Sequence, residues 1–137
     1  MKTISKFLVL FCFTFFSVIC HGQTASDYIK NGITKQGQED FRGAIAYYNK
    51  AIELDPTNAD IYVMRAMCKS KLEDHRGTIT DCNQAIKLDS KNSDAYLIRG
   101  FAYYNLNFLN DACLDWSKAG ESGSAEAYDL IKQFCNN

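Results

Sequence analysis

The chain has 137 residues, with 15 basic and 16 acidic side chains and a formal net charge of −1. The length suits a single domain. The charge balance becomes more acidic still if the two lysines of the N-terminal segment described next are removed, and it excludes the basic stripe that a protein binding duplex nucleic acid would need.

Residues 1–22 have the pattern of a secretory signal peptide. Two lysines flank the start of an apolar run over residues 7–19, which is shorter than the roughly 20 residues of a membrane-spanning helix. Gly22, with Cys20 two positions before it, supplies small residues at a cleavage site. We therefore predict a signal peptide over residues 1–22 and export, to the periplasm or beyond, of a domain spanning residues 23–137.

Two alternatives for this segment stay open. It is either a signal peptide or a retained membrane anchor, and a third interpretation attaches a lipid to Cys20. Bacterial lipoproteins usually carry a small residue immediately before the acylated cysteine, whereas Ile19 occupies that position here. The signal peptide is therefore the preferred interpretation, with lipid anchoring at Cys20 as the alternative.

From residue 25 onward the sequence matches itself at a spacing of 34 residues. Residues 39–43 and 73–77 share most of their side chains in this alignment. The other sets that fall in register are Tyr28, Tyr62 and Tyr96; Gly32, Ala66 and Gly100; Tyr48, Cys82 and Trp116; and Ala51, Ala85 and Ala119. A fixed period of this length indicates that one supersecondary unit is repeated.

Within each unit the apolar residues recur at steps of three and four, which is typical of helices. The predicted helix pairs cover residues 26–38 with 41–54, 60–72 with 75–88, and 94–106 with 109–119. A seventh helix, over residues 124–134, is amphipathic and is predicted to cap the last pair. Close helix crossings are expected at small residues, with Gly32, Ala66 and Gly100 facing Ala44, Thr78 and Ala112.

On these residues the chain resembles the tetratricopeptide repeat (TPR) family, in its exported bacterial type with a C-terminal cap helix. The family's 34-residue unit carries small residues at its eighth, twentieth and twenty-seventh positions, which match the sets above. The resemblance implies an all-α solenoid of three helix–turn–helix repeats, at about residues 25–58, 59–92 and 93–126, with a cap helix at about 124–135. Stacked neighbours bury the apolar faces that one unit cannot bury alone.

The exported domain would keep four cysteines, which are Cys68, Cys82, Cys113 and Cys135. An even number in an exported domain favours disulfides, and four cysteines allow three pairings. The closing stretch resembles the end of many exported bacterial TPR proteins, and this resemblance implies a Cys113–Cys135 bridge that staples the cap. The alternative is that both are buried free thiols. Cys68 and Cys82 either bridge each other or, as we prefer, act as small apolar fillers.

Catalytic and metal-binding patterns are missing from the sequence. His75 is the only histidine after the leader, there is no Cys-x-x-Cys, and no glycine-rich loop follows a strand. The acidic pairs at residues 39–40 and 73–74 recur in register, which is typical of a structural signal. We predict a protein that is not an enzyme and that has no cofactor or metal.

A pair of charged positions changes together between repeats. The seventh and twenty-third positions hold Arg65 with Asp81, Arg99 with Asp115, and, in the first repeat, Asn31 with Tyr47. This joint change predicts that arginine and aspartate meet as a partly buried ion pair, which would be costly to break from one side.

In the family, the first helices of successive repeats line a concave groove. The apolar side chains that the resemblance places there are Ile29, Ile33, Val63, Met64, Met67, Leu97, Ile98, Phe101 and Tyr104. An exposed apolar face of this kind marks an interaction site. We predict a non-catalytic scaffold or adaptor that binds a peptide or helix of a protein partner in this groove, with no nucleic acid and no membrane span after leader removal.

The same face leaves other interpretations open. Chaperone-binding TPR domains clamp a terminal carboxylate with lysines and asparagines, whereas the fifth positions here are Ile29, Val63 and Leu97. A carboxylate clamp is therefore not predicted. The alternatives to groove recognition are burial of these residues by the array itself and a structural subunit that self-associates through the same face.

Overall fold

The protein was analysed as a computed structural model that describes residues 22–135. The predicted signal peptide, apart from Gly22, lies outside the described residues. The described chain consists of α1 (Ala25–Gly37), α2 (Phe41–Leu54), α3 (Ala59–Lys71), α4 (His75–Leu88), α5 (Ser93–Asn105), α6 (Leu109–Glu121), α7 (Ala125–Leu130) and a π-helical turn (Ile131–Cys135), and none of it is strand. None of these helices is long and apolar enough to cross a bilayer.

The helices confirm the predicted all-α class and lie within two residues of the predicted bounds in the three pairs. The seventh helix differs more, because it is α-helical only as far as Leu130 and continues as the wider π-helical turn over Ile131–Cys135. The apolar spacing that predicted this helix does not distinguish the two helix types over so short a segment.

Each pair is joined by a tight turn whose middle residue adopts left-handed backbone geometry. The φ angle is 59° at Glu39, 60° at Glu73 and 64° at Asn107. A residue with a Cβ atom is strained there by roughly 1 kcal/mol. The strain recurs in all three turns because the two helices must reverse direction within three residues.

The second helix begins differently in the third pair. In α2 the Asp40 carboxylate accepts a hydrogen bond of 2.9 Å from the Gly43 N–H, and Asp74 repeats this contact with Gly77 in α4. Phe108 takes the equivalent position in α6, where no side chain caps the helix. The Gly43 bond, followed by Lys35, holds the pKa of the Asp40 carboxyl below its ordinary value.

Glycine lets the helices of the outer pairs approach a large ring. A Cβ atom built on Gly32 would lie 2.5 Å from Cε1 of Tyr48, and one on Gly100 would lie 2.5 Å from Nε1 of Trp116. In the first and third pairs the glycine of the first helix therefore lies closest to the aromatic residue at the twenty-fourth repeat position, which is Tyr48 or Trp116. The expected contact to the twentieth position is seen in the middle pair, where Thr78 Oγ1 lies 3.4 Å from the Ala66 carbonyl oxygen.

Three successive apolar clusters form the core. The first surrounds Tyr48 and Ile61, the second joins Val63 to Ala85 and Ala95, and the third surrounds Trp116. The cap belongs to the third cluster, which it covers with Leu130, Ile131 and Phe134. The clusters lie between neighbouring pairs as well as within them, so that each pair depends on the next for burial.

Candidate binding groove

The first helices α1, α3 and α5 present the nine predicted groove residues to very different extents. Ile33, Met67 and Tyr104 are exposed by 51%, 41% and 38%. The residues that are only half-buried are Ile29, Met64, Leu97, Ile98 and Phe101. One exposed apolar side chain on each of three successive helices forms a discontinuous apolar line, and we call this surface the groove.

Val63 departs from the prediction. Only 7% of this residue is exposed, and it packs into the second core cluster beside Tyr62, Ala85 and Ala95. The stacking of α3 on the following pair therefore places Val63 beneath the surface. It supports the groove and does not offer a contact to a partner.

A first pocket of about 420 Å³ opens between α1 and α3. Ile33 and Met64 form its apolar wall, and Gln36 supplies a polar edge. The Gln36 side chain is already engaged, because its Oε1 accepts a hydrogen bond of 2.9 Å from the Tyr48 hydroxyl. The pocket is therefore mainly an apolar recess whose polar edge is held in place by the core.

A second pocket of about 430 Å³ lies between α3 and α5. Met67, Ile98 and Phe101 supply its apolar lining, and Lys71 and Glu126 add side chains of opposite charge. Glu126 comes from the cap helix and was not predicted as a groove residue. No sequence signal identified it, because the cap falls outside the repeat alignment that supplied the other positions.

The far end of the groove is closed by the cap. The Phe134 ring lies 4.9 Å from the Tyr104 ring and 5.9 Å from the Trp116 ring. Phe101 also meets Trp116, at 5.6 Å and edge to face. This aromatic cluster holds the third-repeat wall of the groove rigid, because four rings fix one another from several sides.

Two buried ion pairs stabilise the helices that line the groove. They join the seventh and twenty-third repeat positions, which the sequence analysis predicted because the residues at these positions change together. Arg65 donates to both carboxylate oxygens of Asp81 at 2.9 and 2.6 Å, and Arg99 donates to both of Asp115 at 2.7 Å. The Asp81 side chain is only 2% exposed and is also approached at 2.9 Å by Lys69. Asp115 raises the pKa of the Arg99 guanidinium above its ordinary value, chiefly through these hydrogen bonds.

Each arginine also reaches the preceding repeat, which the sequence analysis missed. Arg65 donates at 2.7 Å to Oδ1 of Asn49, and Arg99 donates at 2.7 Å to Oδ1 of Asn83. Asn49 and Asn83 fall in register at the 34-residue period, so the signal was present in the sequence. The guanidinium therefore joins three helices and fixes the angle between successive repeats.

The four described cysteines form one bonded pair and two free thiols. The structure joins Cys113 of α6 to Cys135 at the end of the cap, with their Cα atoms 5.9 Å apart. Cys68 and Cys82 are free and buried. Burial raises the pKa of the Cys68 thiol to about 11 and that of Cys82 to about 12, so both are neutral fillers at ordinary pH.

The described residues form no cluster of metal-ligating side chains. Residues 22–135 contain no group of three or more histidine, cysteine or acidic side chains able to hold a metal ion. His75 begins α4, and its Nδ1 atom is buried without a hydrogen bond. The geometry of the groove suits recognition of an apolar surface.

Comparison with known proteins agrees with this geometry. Family models described as TPR repeat and tetratricopeptide repeat match residues 37–66 and 59–92. The solved structure of the second TPR of Spaghetti (RPAP3), bound to the HSP90 peptide SRMEEVD, is 32% identical; the match covers 71% of this chain and 90% of that one, with a TM-score of 0.69. The chain belongs to the tetratricopeptide repeat family.

Two further solved TPR structures are similar over most of their length. The Arabidopsis OM64 TPR domain is 26% identical, with coverage of 81% of this chain and 93% of that one and a TM-score of 0.79. The second TPR domain of human RPAP3, in complex with the HSP70 peptide SGPTIEEVD, is 28% identical, with coverage of 82% and 96% and a TM-score of 0.77. A comparison with curated protein sequences gave no match.

Proposed function

We propose that this TPR protein is a non-catalytic interaction scaffold whose groove binds an apolar segment of another protein. The observation that carries the proposal is the line of exposed apolar side chains formed by Ile33, Met67 and Tyr104 on three successive first helices. Isolated exposed apolar residues are ordinary, whereas a row of them on a concave face of rigid helices is typical of a recognition surface.

The two pockets support a ligand with apolar side chains. Both have apolar floors that would accept an aliphatic or aromatic side chain, and methionines at Met64 and Met67 adapt to ligands of different shape. Lys71 and Glu126 at the second pocket would orient the ligand through its polar groups. A helix or extended segment with two apolar anchors fits this arrangement.

The ligand is proposed to differ from the peptides bound by the similar structures. Those peptides, SRMEEVD and SGPTIEEVD, end in acidic sequences. At the fifth position of each repeat this chain carries the apolar residues Ile29, Val63 and Leu97. An acidic tail would find too few cationic groups to offset the loss of its own hydration.

Selection from a displayed library of random peptides tests the proposal. We expect the mature chain to enrich peptides with two or more apolar anchors. Met67→Glu should weaken the enriched peptides by at least about 10-fold, because it places a carboxylate on the floor of the second pocket. The control is Leu54→Glu, which puts the same charge on a leucine that is 56% exposed at the end of α2, away from the groove.

Two results would contradict the proposal. One is equal binding of the selected peptides to the wild type and to Met67→Glu, with both variants shown to be folded by circular dichroism. The other is saturable binding of the SRMEEVD peptide with an affinity similar to that of the selected peptides, since this would indicate an acidic ligand. Both measurements use fluorescence polarisation with labelled peptides.

We further propose that the protein is exported and that the Cys113–Cys135 bond forms after removal of residues 1–22. The leader pattern and the disulfide support the same compartment, since structural disulfides persist in oxidising environments. A mass spectrum of protein isolated from its native cells tests both statements. It should show a chain that begins at Gln23 and has lost two hydrogens at one cysteine pair. A chain retaining residues 1–22, a lipid on Cys20, or four free thiols would overturn the proposal.

A further inference from the structure

The outward face of α6 differs from those of α2 and α4. Leu114 is 67% exposed, more than any other large apolar residue among those described. At the equivalent positions, the first two repeats carry the small or polar residues Ala46 and Thr80. Nothing in the fold of the third repeat requires a leucine there, because its side chain contributes little to the core.

The start of α6 shows a second departure from the repeat. Phe108, which is 54% exposed, replaces the capping aspartates of the first two pairs, and Leu109 is 42% exposed beside it. The replacement removes a helix cap, which lowers the stability of the first turn of α6. A position that gives up local stability and exposes an aromatic ring is typical of a site kept for another purpose.

A pocket of about 460 Å³ lies next to Leu114. It is formed between α6 and the end of the cap by Leu109, Cys113 and Phe134, together with Leu114 itself and Cys135. The pocket lies where the end of the cap, Phe134 and Cys135, meets α6. An apolar side chain thus projects beside a recess that would accept a side chain of the same kind.

The charges around Leu114 are self-complementary. Asp111 lies three residues before Leu114 and Lys118 four residues after it, so all three share one face of the helix. Among the described residues none forms an ion pair with Asp111, and Lys118 is 2.8 Å from Glu121 on its own helix. When two copies of this face cross in antiparallel orientation, each Asp111 meets Lys118 of the partner subunit.

From these observations we propose that the α6 face is a homodimer interface, in which two copies of the chain pack α6 against α6 in antiparallel orientation about a two-fold axis near Leu114. Leu114 of each copy enters the pocket beside the disulfide of the other. The first two repeats do not offer such an interface, because the positions equivalent to Asp111 are Gly43 and Gly77.

The interface is distinct from the groove and leaves it open. Its apolar part consists of few side chains, so we expect a weak dimer with a dissociation constant on the order of 100 µM. Two grooves held in one particle would raise the apparent affinity for a partner with repeated binding segments without any new contact in either groove. This form of self-association differs from the alternative that the sequence left open, in which the groove itself forms the contact between copies.

Sedimentation velocity on the disulfide-bonded mature chain, from about 10 µM to 1 mM at low salt, tests the proposal. The wild type should form dimers as the concentration rises. Leu114→Glu should raise the dissociation constant at least about 30-fold, since it places two carboxylates near the axis. Leu54→Glu is the matched control and should leave the dissociation constant unchanged.

A charge exchange tests the antiparallel arrangement. Asp111→Lys and Lys118→Asp should each raise the dissociation constant about 5- to 10-fold, because each creates two like-charge contacts across the axis. The double variant should return it to within about threefold of the wild type. Circular dichroism on all variants verifies that α6 remains helical.

Each of three results would overturn the proposal. The wild type could stay monomeric over the whole concentration range. The dimer could survive Leu114→Glu, or the double variant could fail to recover. If Met67→Glu dissociates the dimer and Leu114→Glu does not, the two copies associate through the groove, which is the alternative described in the sequence analysis.

Discussion

The first helix pair and the two later pairs share one backbone but differ in how their helices are held together. In the first pair the positions of the ion pair hold Asn31 and Tyr47, and the Tyr47 ring packs at 6.4 Å against Tyr28. In the later pairs an arginine forms a two-bond contact with an aspartate and a third bond with the preceding repeat.

This difference indicates that Arg65 and Arg99 connect successive repeats. Among the described residues no helix pair precedes α1, so an arginine at position 31 would have no asparagine to receive its third hydrogen bond. A buried guanidinium with an unmet donor is unfavourable. The arginine therefore belongs to the junction between repeats as much as to the pair in which it stands, and the first repeat replaces it with neutral residues.

The largest expected effect is on the later pairs. Asp115→Leu should lower the free energy of unfolding by about 3 kcal/mol, because it leaves the Arg99 guanidinium without its carboxylate. Arg99→Leu combined with Asp115→Leu should cost less than the sum of the two single losses, with a coupling of about 2 kcal/mol. Urea unfolding followed by circular dichroism provides the measurement.

The first pair supplies the control for this cycle. Asn31→Leu and Tyr47→Leu should have nearly additive effects, because among the described residues Tyr47 packs against Tyr28 and forms no hydrogen bond with Asn31. A coupling as large as that of Arg99 with Asp115 would show that the two kinds of pair do not differ as proposed. Additive losses for Arg99 and Asp115 would show that the ion pair contributes nothing specific.

A second prediction sharpens the comparison by setting the middle pair against the outer two. Gly100→Ala should destabilise the protein by about 2 kcal/mol, because the added methyl group meets the buried Trp116 ring and the ring cannot move without displacing Phe134. Ala66→Gly, at the equivalent position of the middle repeat, where the twenty-fourth residue is the smaller Cys82, should cost about 1 kcal/mol through helix propensity. Thermal unfolding of both variants checks the order.

The result that would oppose this prediction is an unchanged or higher melting temperature for Gly100→Ala. Alanine is the better helix former, so a neutral result would mean that the crossing of α5 and α6 relaxes easily. The size of the twenty-fourth residue would then not decide whether a repeat carries glycine or alanine at its eighth position.

The smallest expected effect is on the pH dependence of stability, through Cys82 in the middle pair. Burial raises the pKa of Cys82 from its ordinary value of 9.0 to about 12, so the folded protein holds this proton more tightly than the unfolded chain does. The resulting stability is complete below pH 9 and is lost as the pH rises from about 9 towards 12. Cys82→Ala should therefore show a shallower fall of the melting temperature between pH 8 and pH 10. Parallel curves for the two proteins would contradict the assignment.

Most of the fold was predictable because the same pattern of helices and turns recurs every 34 residues. The 34-residue period, the helical spacing and the turns all point to the same architecture, and agreement among such signals is what makes a fold readable from one sequence. The ion pairs were found in the same way, from residues that change together. Their asparagine acceptors recur at the same period and were overlooked.

The groove was less predictable, for two physical reasons. The position of Val63 in the repeat does not reveal how closely α3 packs against the next pair, and that packing buries it. The contribution of Glu126 depends on where the cap lies, and the cap does not obey the period. The lost cap at Phe108 was visible in the alignment with Asp40 and Asp74, but only the structure shows that the ring is left exposed.

The three-way contact of each arginine gives the stack a direction. Arg65 shares charge with Asp81 in its own repeat, and it takes only a neutral acceptor, Asn49, from the repeat before it. Detaching α1 and α2 would cost Arg65 one hydrogen bond and leave its contact with Asp81 intact, but it would also uncover Ile61 and Cys68 of the first core cluster. The ion pairs therefore hold the N-terminal pair less strongly than they hold the later pairs, and native-state hydrogen exchange should find α1 and α2 opening before α3 and α4.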